Sequence, residues 1–450
     1  MLCPPFPMDA SPPRYRRFSR PGPVPQPATD LPAYTRRNTL AQPLVRREPV
    51  EHLYPLVDGK NRPWATLSLM SSAKSGKSLP TFHEKEHING SFQLTAEKGD
   101  SIQSVTVTVT GRIITGSAID DTYAFLTQSL TLWSKSDSRS SGAATKLLGE
   151  CVWPFSIPLP KAVSLKDFSH DVLFRLPETF LERHTRASVS YEISVLVSRG
   201  KLRVDSQIKT RFGYIPSTRP DPPSLLRQLA YRENSPLPGP EVDLAGWKTS
   251  SPAVIRGSLF KTRQAAVHCM LSLANPLSYT RGTVIPCRMT LESNDGQALD
   301  MFSSPAAPLV TLRRRVRFQN PATSSKRGAD WVESFEDVCR AVWWPSADGT
   351  NAPYCRSLEG EIKLPKDLAS SSSIGRFTVS YTIVVSPFET TGFTPSSSQP
   401  ILVEPVTIAT THARDSPRPQ AYAPPAYAPL PVPRQHNDFF AAQATARPGR

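Results

Sequence analysis

The stretch IQSVTVTVT at residues 102–110 decides the fold class of this chain. It alternates valine with threonine, so an extended segment has one apolar and one polar face, which predicts a half-buried β-strand. Gly111 ends the run, and the same alternation returns as SVSYEISV at residues 188–195. Because such segments recur between turn residues and without helical periodicity, we predict an all-β sandwich.

The second half of the chain repeats words of the first half. The word VSYEI at residues 189–193 returns as VSYTI at residues 379–383. Each copy follows a segment that ends in proline, at 155–160 and at 361–365. Repetition in the same order predicts a duplicated structural unit, and hence two β-sandwich domains in tandem.

Proline marks the segments that lie outside this β pattern. The chain has 450 residues and 47 prolines, which concentrate near both ends and between the halves. Segments of this composition cannot bury a core of their own. The run LLRQL at 225–229 lies in the middle segment and is assigned to the connector. The predicted organisation is a disordered Pro/Arg-rich tail at 1–47, a first sandwich at 48–216, a Pro-rich connector at 217–243, a second sandwich at 244–411 and a disordered tail at 412–450.

Composition and charge limit the classes of protein to which this chain can belong. The formal net charge of +15 favours anionic partners such as acidic lipids, or reflects solvated surface charge and basic tails. No nucleic-acid-binding module is recognisable, and no apolar run reaches the roughly 18 residues that span a bilayer. The first residues lack the apolar segment of a signal peptide, so we predict a cytoplasmic protein. Because no nucleic-acid-binding module is recognisable, we also predict that it binds no nucleic acid.

The sequence contains no recognisable catalytic or metal-binding pattern. The six cysteines include no CxxC spacing, and the eight histidines form no metalloprotease or Ser-His-Asp pattern. Glycine-rich phosphate loops are missing too. We therefore expect neither an enzyme nor a cofactor or metal.

Each half also contains a longer run of characteristic order. In the first half, GECVWPFSIPLP at 149–160 precedes LPETF at 176–180 and the strand around Tyr191. In the second half, LSLANP at 271–276 leads into YTRGTVIP at 279–286. These runs resemble the arrestin family, specifically the α-arrestins. The resemblance spans roughly residues 48–411 and implies two arrestin-type β-sandwich domains.

Three short motifs that end in tyrosine lie in the predicted tails; two fit the pattern PPxY and one the weaker LPxY. Consecutive prolines pre-form a polyproline II helix, and the tyrosine ring one turn later enters a second pocket, which is the chemistry of a WW-domain ligand. Accidental Pro-Tyr words in low-complexity sequence are the alternative. The predicted WW-binding residues are Pro12, Pro13 and Tyr15, then Leu31, Pro32 and Tyr34, then Pro424, Pro425 and Tyr427.

The resemblance implies an adaptor function. In α-arrestins such motifs recruit HECT-type ubiquitin ligases with several WW domains, while the arrestin body recognises a membrane-protein cargo. We therefore expect a cytoplasmic adaptor, recruited to the plasma membrane or endosomes, that directs ubiquitination and endocytosis of a plasma-membrane transporter or receptor. Two alternatives stay open: a signalling scaffold for pH or nutrient state, and a membrane-coat or retrograde-sorting subunit.

One strand carries a row of arginines. Residues 310–318 alternate so that Arg313, Arg315 and Arg317 share one face. Three guanidinium groups in a row suit acidic lipid or a phosphorylated or acidic cargo tail. A solvated or internally paired face is the alternative.

The amino-terminal tail contains two candidate phosphorylation sites. Ser19 and Thr39 each have arginine two and three residues upstream, a preference of basic-directed kinases. The word RRFSRP at 16–21 also resembles a ligand of 14-3-3 proteins once Ser19 is phosphorylated. A reader bound four residues from Tyr15 would exclude a WW domain from the first motif. Chance occurrence in a basic tail is the alternative.

Overall fold

The all-β fold predicted from the sequence is confirmed by a computed structural model. It describes residues 48–97, 101–116, 121–136, 146–165, 172–182, 185–200, 203–319, 330–346, 352–425 and 427. The decisive stretch at 102–110 lies in a long strand whose valines are buried and whose threonines mostly face outward. The alternation of buried and exposed residues is therefore the feature that forms the sheets.

The first half of the described chain is formed mainly by strands. They are β1 (Val50–Val57), β2 (Pro63–Ser71), β3 (Thr81–His83), β4 (His87–Ala96), β5 (Ile102–Ile114), β6 (Thr122–Ser134), β7 (Gly149–Pro158), β8 (Ala162–Ser164), β9 (Leu173–Arg175), β10 (Ser188–Arg199) and β11 (Ser206–Ile215).

The second half adds short helices. Its elements are α1 (Leu225–Glu233), a 3₁₀ helix (Leu244–Gly246), β12 (Trp247–Thr249), β13 (Ala253–Leu259), β14 (Arg263–Ala274), β15 (Ser278–Thr280), β16 (Val284–Glu292), α2 (Gly296–Phe302), β17 (Leu309–Gln319), β18 (Trp331–Pro345), β19 (Cys355–Lys363), β20 (Ser372–Ile374), β21 (Phe377–Ser386), β22 (Phe393–Pro395) and β23 (Leu402–Ala409). No helix in the described part of the chain is long and apolar enough to cross a membrane.

Both halves have the same strand order. In the first half, β1-β2-β4-β7 form one sheet and β6-β5-β10-β11-β3 form another. The second half repeats this as β13-β14-β16-β19 and β18-β17-β21-β23-β15, with β18 joining the two parts by pairing with both β17 and β19. In each copy the last strand is parallel to its neighbour, β3 to β11 and β15 to β23. The topology therefore repeats, as the duplicated words predicted.

The repeated word VSY places one tyrosine at the same point of each copy. Tyr191 in β10 and Tyr381 in β21 are 0 % and 1 % exposed. The Tyr191 hydroxyl donates to the carbonyl oxygen of Pro177 at 2.7 Å, and the Tyr381 hydroxyl donates to that of Ala369 at 2.7 Å. Each tyrosine thus ties its strand to the loop that precedes it.

Removing either hydroxyl is expected to destabilise the protein to a similar degree. Tyr191→Phe and Tyr381→Phe should each lower the free energy of unfolding by about 1–3 kcal/mol, because each leaves a buried or partly buried carbonyl without its tyrosine donor. Denaturant unfolding measures the change, with Tyr354→Phe at an exposed tyrosine as the control. A clear loss for one variant and none for the other would contradict the equivalence of the two copies.

Charged side chains connect the first half to the second. Arg281 Nη1 lies 2.6 Å from Glu178 Oε1, and the other oxygen of Glu178 accepts a hydrogen bond from the Ser370 amide at 2.8 Å. Arg314 makes a bidentate ion pair with Glu182. Because Arg281 and Glu178 are 15 % and 12 % exposed, this pair is held largely away from water.

Candidate functional site

The structure describes one of the three predicted WW-binding motifs. The motifs at 12–15 and 31–34 lie outside the described residues, as do the candidate phosphorylation sites Ser19 and Thr39. Pro424, Pro425 and Tyr427 of the third motif are described. They stand at the end of the segment that follows β23.

Residues 412–425, which begin the segment predicted to be a disordered tail, contact the body of the protein, and we call them the strap. Arg219 Nη1 donates to the carbonyl oxygen of His412 at 2.9 Å. Gln420 Nε2 donates to the carbonyl oxygen of Tyr231 at 2.7 Å, and the rings of Tyr231 and Tyr422 stack with centroids 6.4 Å apart. Proline-rich composition prevents a segment from forming its own core, but this segment packs on surface supplied by the body.

Glu361 of β19 anchors the end of the strap. The residue is 5 % exposed, and its Oε2 accepts a hydrogen bond from the Tyr422 amide at 2.8 Å. The amide of Ala423 also bonds the carboxylate. Burial raises the pKa of Glu361, whereas these two amides and the charge of Lys363 act in the opposite direction. Hydrogen bonds from two successive amides to one carboxylate are of the stronger, charge-assisted kind.

The motif that follows this anchor is closed into a turn. The Tyr427 amide donates to the carbonyl oxygen of Pro424 at 2.9 Å. Pro424 is partly buried, Pro425 is exposed and Tyr427 is 39 % exposed. A polyproline II helix has no internal hydrogen bonds, so the motif does not have the conformation expected for a bound WW ligand.

The strap packs against α1, a helix that the sequence analysis had assigned to the connector. Ser224 caps its start by accepting a hydrogen bond from the Arg227 amide at 3.2 Å, and Asn234 ends it with φ 55°. These two capping residues were the sequence signal from which the helix could have been predicted. The apolar pattern obscured the helix because its buried residues are Arg227, Ala230 and Tyr231, while its leucines are exposed.

Arg227 places a charged side chain on the buried face of this helix. Its guanidinium donates to the carbonyl oxygens of Asn275, at 2.9 Å, and Gly246, and stands 4.7 Å from the centroid of the Trp247 ring. The residue is 2 % exposed, and burial lowers its pKa. The carbonyl oxygens satisfy donors that would otherwise make burial of this group unfavourable.

A small cleft lies beside the contact between α1 and the strap. Arg227, Tyr231, Tyr279, His412 and Pro417 are among its lining residues, and its free volume is about 50 Å³. Pockets for metabolites or cofactors are typically about 300–1,000 Å³, so this cleft holds little more than water. The contact between α1 and the strap is therefore a packed interface and not a ligand pocket.

The predicted arginine row is paired with carboxylates. Arg313, Arg315 and Arg317 do share the outward face of β17. Arg313 Nε lies 2.7 Å from Asp337 Oδ1, and both Arg315 and Arg317 contact Glu333. The neighbouring guanidinium groups lower the pKa values of Asp337 and Glu333. This face matches the internally paired alternative, and anion binding on it stays a prediction.

The described residues contain no group of three or more His, Cys, Asp or Glu side chains arranged to hold a metal ion. No protein-family model matches the chain, and no curated protein matches it at a significant level. The chemistry of the site is accordingly that of a tyrosine-ended proline motif, a buried carboxylate beside it and the helix that supports both.

Proposed function

We propose that this chain is an arrestin-like adaptor that brings a WW-domain HECT-type ubiquitin ligase to a membrane-protein cargo. The observation that carries the proposal is the motif Pro424, Pro425 and Tyr427, which stands at the surface of a duplicated all-β body with its tyrosine 39 % exposed. Two consecutive prolines and a tyrosine one turn later are the elements that an aromatic WW groove binds. The motifs at 12–15 and 31–34 repeat this chemistry in the same chain.

Several motifs in one chain suit a ligase with several WW domains. Each single contact is weak, but the second contact made by the same chain is intramolecular and benefits from an effective concentration that can reach the mM range. The duplicated body then serves the other role of an adaptor, recognition of a transporter or receptor at the plasma membrane or endosomes. The adaptor itself acts from the cytoplasm.

Loss of the three tyrosines is expected to abolish ligase recruitment. Tyr15→Ala and Tyr427→Ala should each weaken binding of a tandem WW-domain fragment, because a fully buried ring contributes about 1.5–3 kcal/mol. Tyr34→Ala should matter less, since its motif lacks the first proline. Pull-down and titration calorimetry with the full chain measure the effect, and the triple variant should show no binding.

The matched control is Tyr354→Ala. Tyr354 is exposed and follows Pro353, but the pair does not have the PPxY spacing. Retained ligase binding by the triple variant would refute the recruitment proposal. The fate of the cargo separates an adaptor from a signalling scaffold: an adaptor variant without the tyrosines still binds cargo but no longer promotes its ubiquitination, whereas a scaffold leaves cargo turnover unchanged.

A further inference from the structure

The strap anchors the chain immediately before the C-terminal WW motif. Its last two anchoring residues, Tyr422 and Ala423, directly precede Pro424 and are bonded to Glu361. From this placement we propose that the body restrains the C-terminal motif in a closed state, which a WW domain has to open before it binds. The inference rests on the proposed function and specifies how that same motif is regulated.

The motif does not have the conformation of a bound WW ligand. The Tyr427 amide donates a hydrogen bond to the carbonyl oxygen of Pro424, which brings the first and last residues of the motif together. A WW groove binds its proline-rich ligand in the extended polyproline II conformation, which has no internal hydrogen bonds. Binding therefore requires the turn to open.

The body also restricts the access of a WW domain to the prolines of the motif. Pro424 is partly buried, and the residue before it is bonded to a carboxylate that is itself 5 % exposed. A domain that encloses both prolines would overlap with the surface around Glu361 and Tyr231. The contacts at Tyr422 and Ala423 must therefore break as well.

The contacts of the strap with the body compete with binding of the motif to a WW domain. Within the part of the chain that the structure describes, the hydrogen bonds assigned to the Glu361 carboxylate all come from the strap. The aromatic stack of Tyr231 on Tyr422 adds to the closed state. When only a fraction of molecules is open, the apparent dissociation constant increases by the inverse of that fraction. The motif in the full chain should thus bind more weakly than the same motif as a free peptide.

The test uses the full chain with Tyr15→Ala and Tyr34→Ala, so that only the C-terminal motif remains. Binding of a single WW domain is compared between this chain and a peptide of residues 416–435. We expect the peptide to bind at least about tenfold more tightly, the effect of an open fraction of a tenth or less. Tyr422→Ala should raise the affinity of the full chain toward that of the peptide and leave the affinity of a peptide with the same change unaltered.

A second variant approaches the same contact from the body. Glu361→Gln keeps the size of the side chain but removes its charge, so it should also tighten WW binding to the full chain. Glu292→Gln, an exposed glutamate on neighbouring β16, is the control and should have no effect. Hydrogen exchange at the amides of Tyr422 and Ala423 reports strap docking without any WW domain; it should be slow in the parent chain and faster in both variants.

The outcomes separate the two proposals. Equal affinities for peptide and full chain, or unprotected amides at Tyr422 and Ala423, would overturn the closed state and leave the adaptor function standing. A peptide that binds no WW domain would overturn the proposed role of this motif, and the regulation of it as well. If the peptide binds the WW domain more tightly than the full chain does, but Tyr422→Ala leaves the affinity of the full chain unchanged, the contacts of the strap are not the restraint. That result would also overturn the closed state proposed here.

Discussion

Replacement of Glu178 by alanine should lower the free energy of unfolding by up to about 3–5 kcal/mol, the cost of leaving one partner of a buried ion pair alone, because this pair is held largely away from water. The carboxylate pairs with Arg281 at 2.6 Å and accepts a hydrogen bond from the Ser370 amide at 2.8 Å. Without it, the Arg281 guanidinium keeps, among the described residues, the carbonyl oxygen of Leu368 as its hydrogen-bond acceptor, at 3.0 Å. Denaturant unfolding followed by fluorescence measures the loss.

Two further variants identify the cause of that loss. Glu178→Gln keeps an acceptor for the Ser370 amide and should be less harmful than alanine. Glu178→Ala combined with Arg281→Met removes the uncompensated charge and should recover part of the stability, since buried ion pairs can be replaced by apolar side chains at little cost. A single alanine variant that is less than about 1 kcal/mol destabilised would contradict the assigned role of the pair.

Arg227→Met is expected to cost about 2–4 kcal/mol of the free energy of unfolding. The change leaves the Asn275 carbonyl without its guanidinium donor and removes the contact with the Trp247 ring. Because Arg227 fixes α1, the strap contacts at Tyr231 should loosen too, which hydrogen exchange at Tyr422 reports independently.

The control for Arg227 lies on the same helix. Arg232 is exposed, so Arg232→Met should change stability by less than about 0.5 kcal/mol. Similar effects of the two substitutions would mean that the buried guanidinium contacts do not hold the helix in place.

The strands were predictable because one face of each is buried. The valines of β5 and the duplicated tyrosines of β10 and β21 follow the period of two, so pattern and structure agree. The shared face of Arg313, Arg315 and Arg317 was predictable for the same reason. Their carboxylate partners on β18 were not, because the register between two strands depends on contacts far apart in sequence.

Three features escaped the sequence analysis because tertiary contacts override local pattern. The leucines of α1 point outward while Arg227 points inward, which departs from the pattern of an amphipathic surface helix. Arg314 lies on the buried face of β17, where Glu182 from the first half compensates its charge. The strap is ordered by Glu361 and Tyr231, which are 61 and 189 residues distant from their partners.

The strand order also dictates a sequence of events during synthesis on a ribosome. The first half has all strands of its sheets once β11 has been made, whereas the second half lacks the strand between β21 and β15 until β23 emerges. Domains generally fold in the order in which they are translated. Glu178 and Glu182 are therefore synthesised well before their arginine partners, which follow 103 and 132 residues later. The ion pairs of Glu178 and Glu182 can therefore form only after Arg281 and Arg314 of the second half have been synthesised.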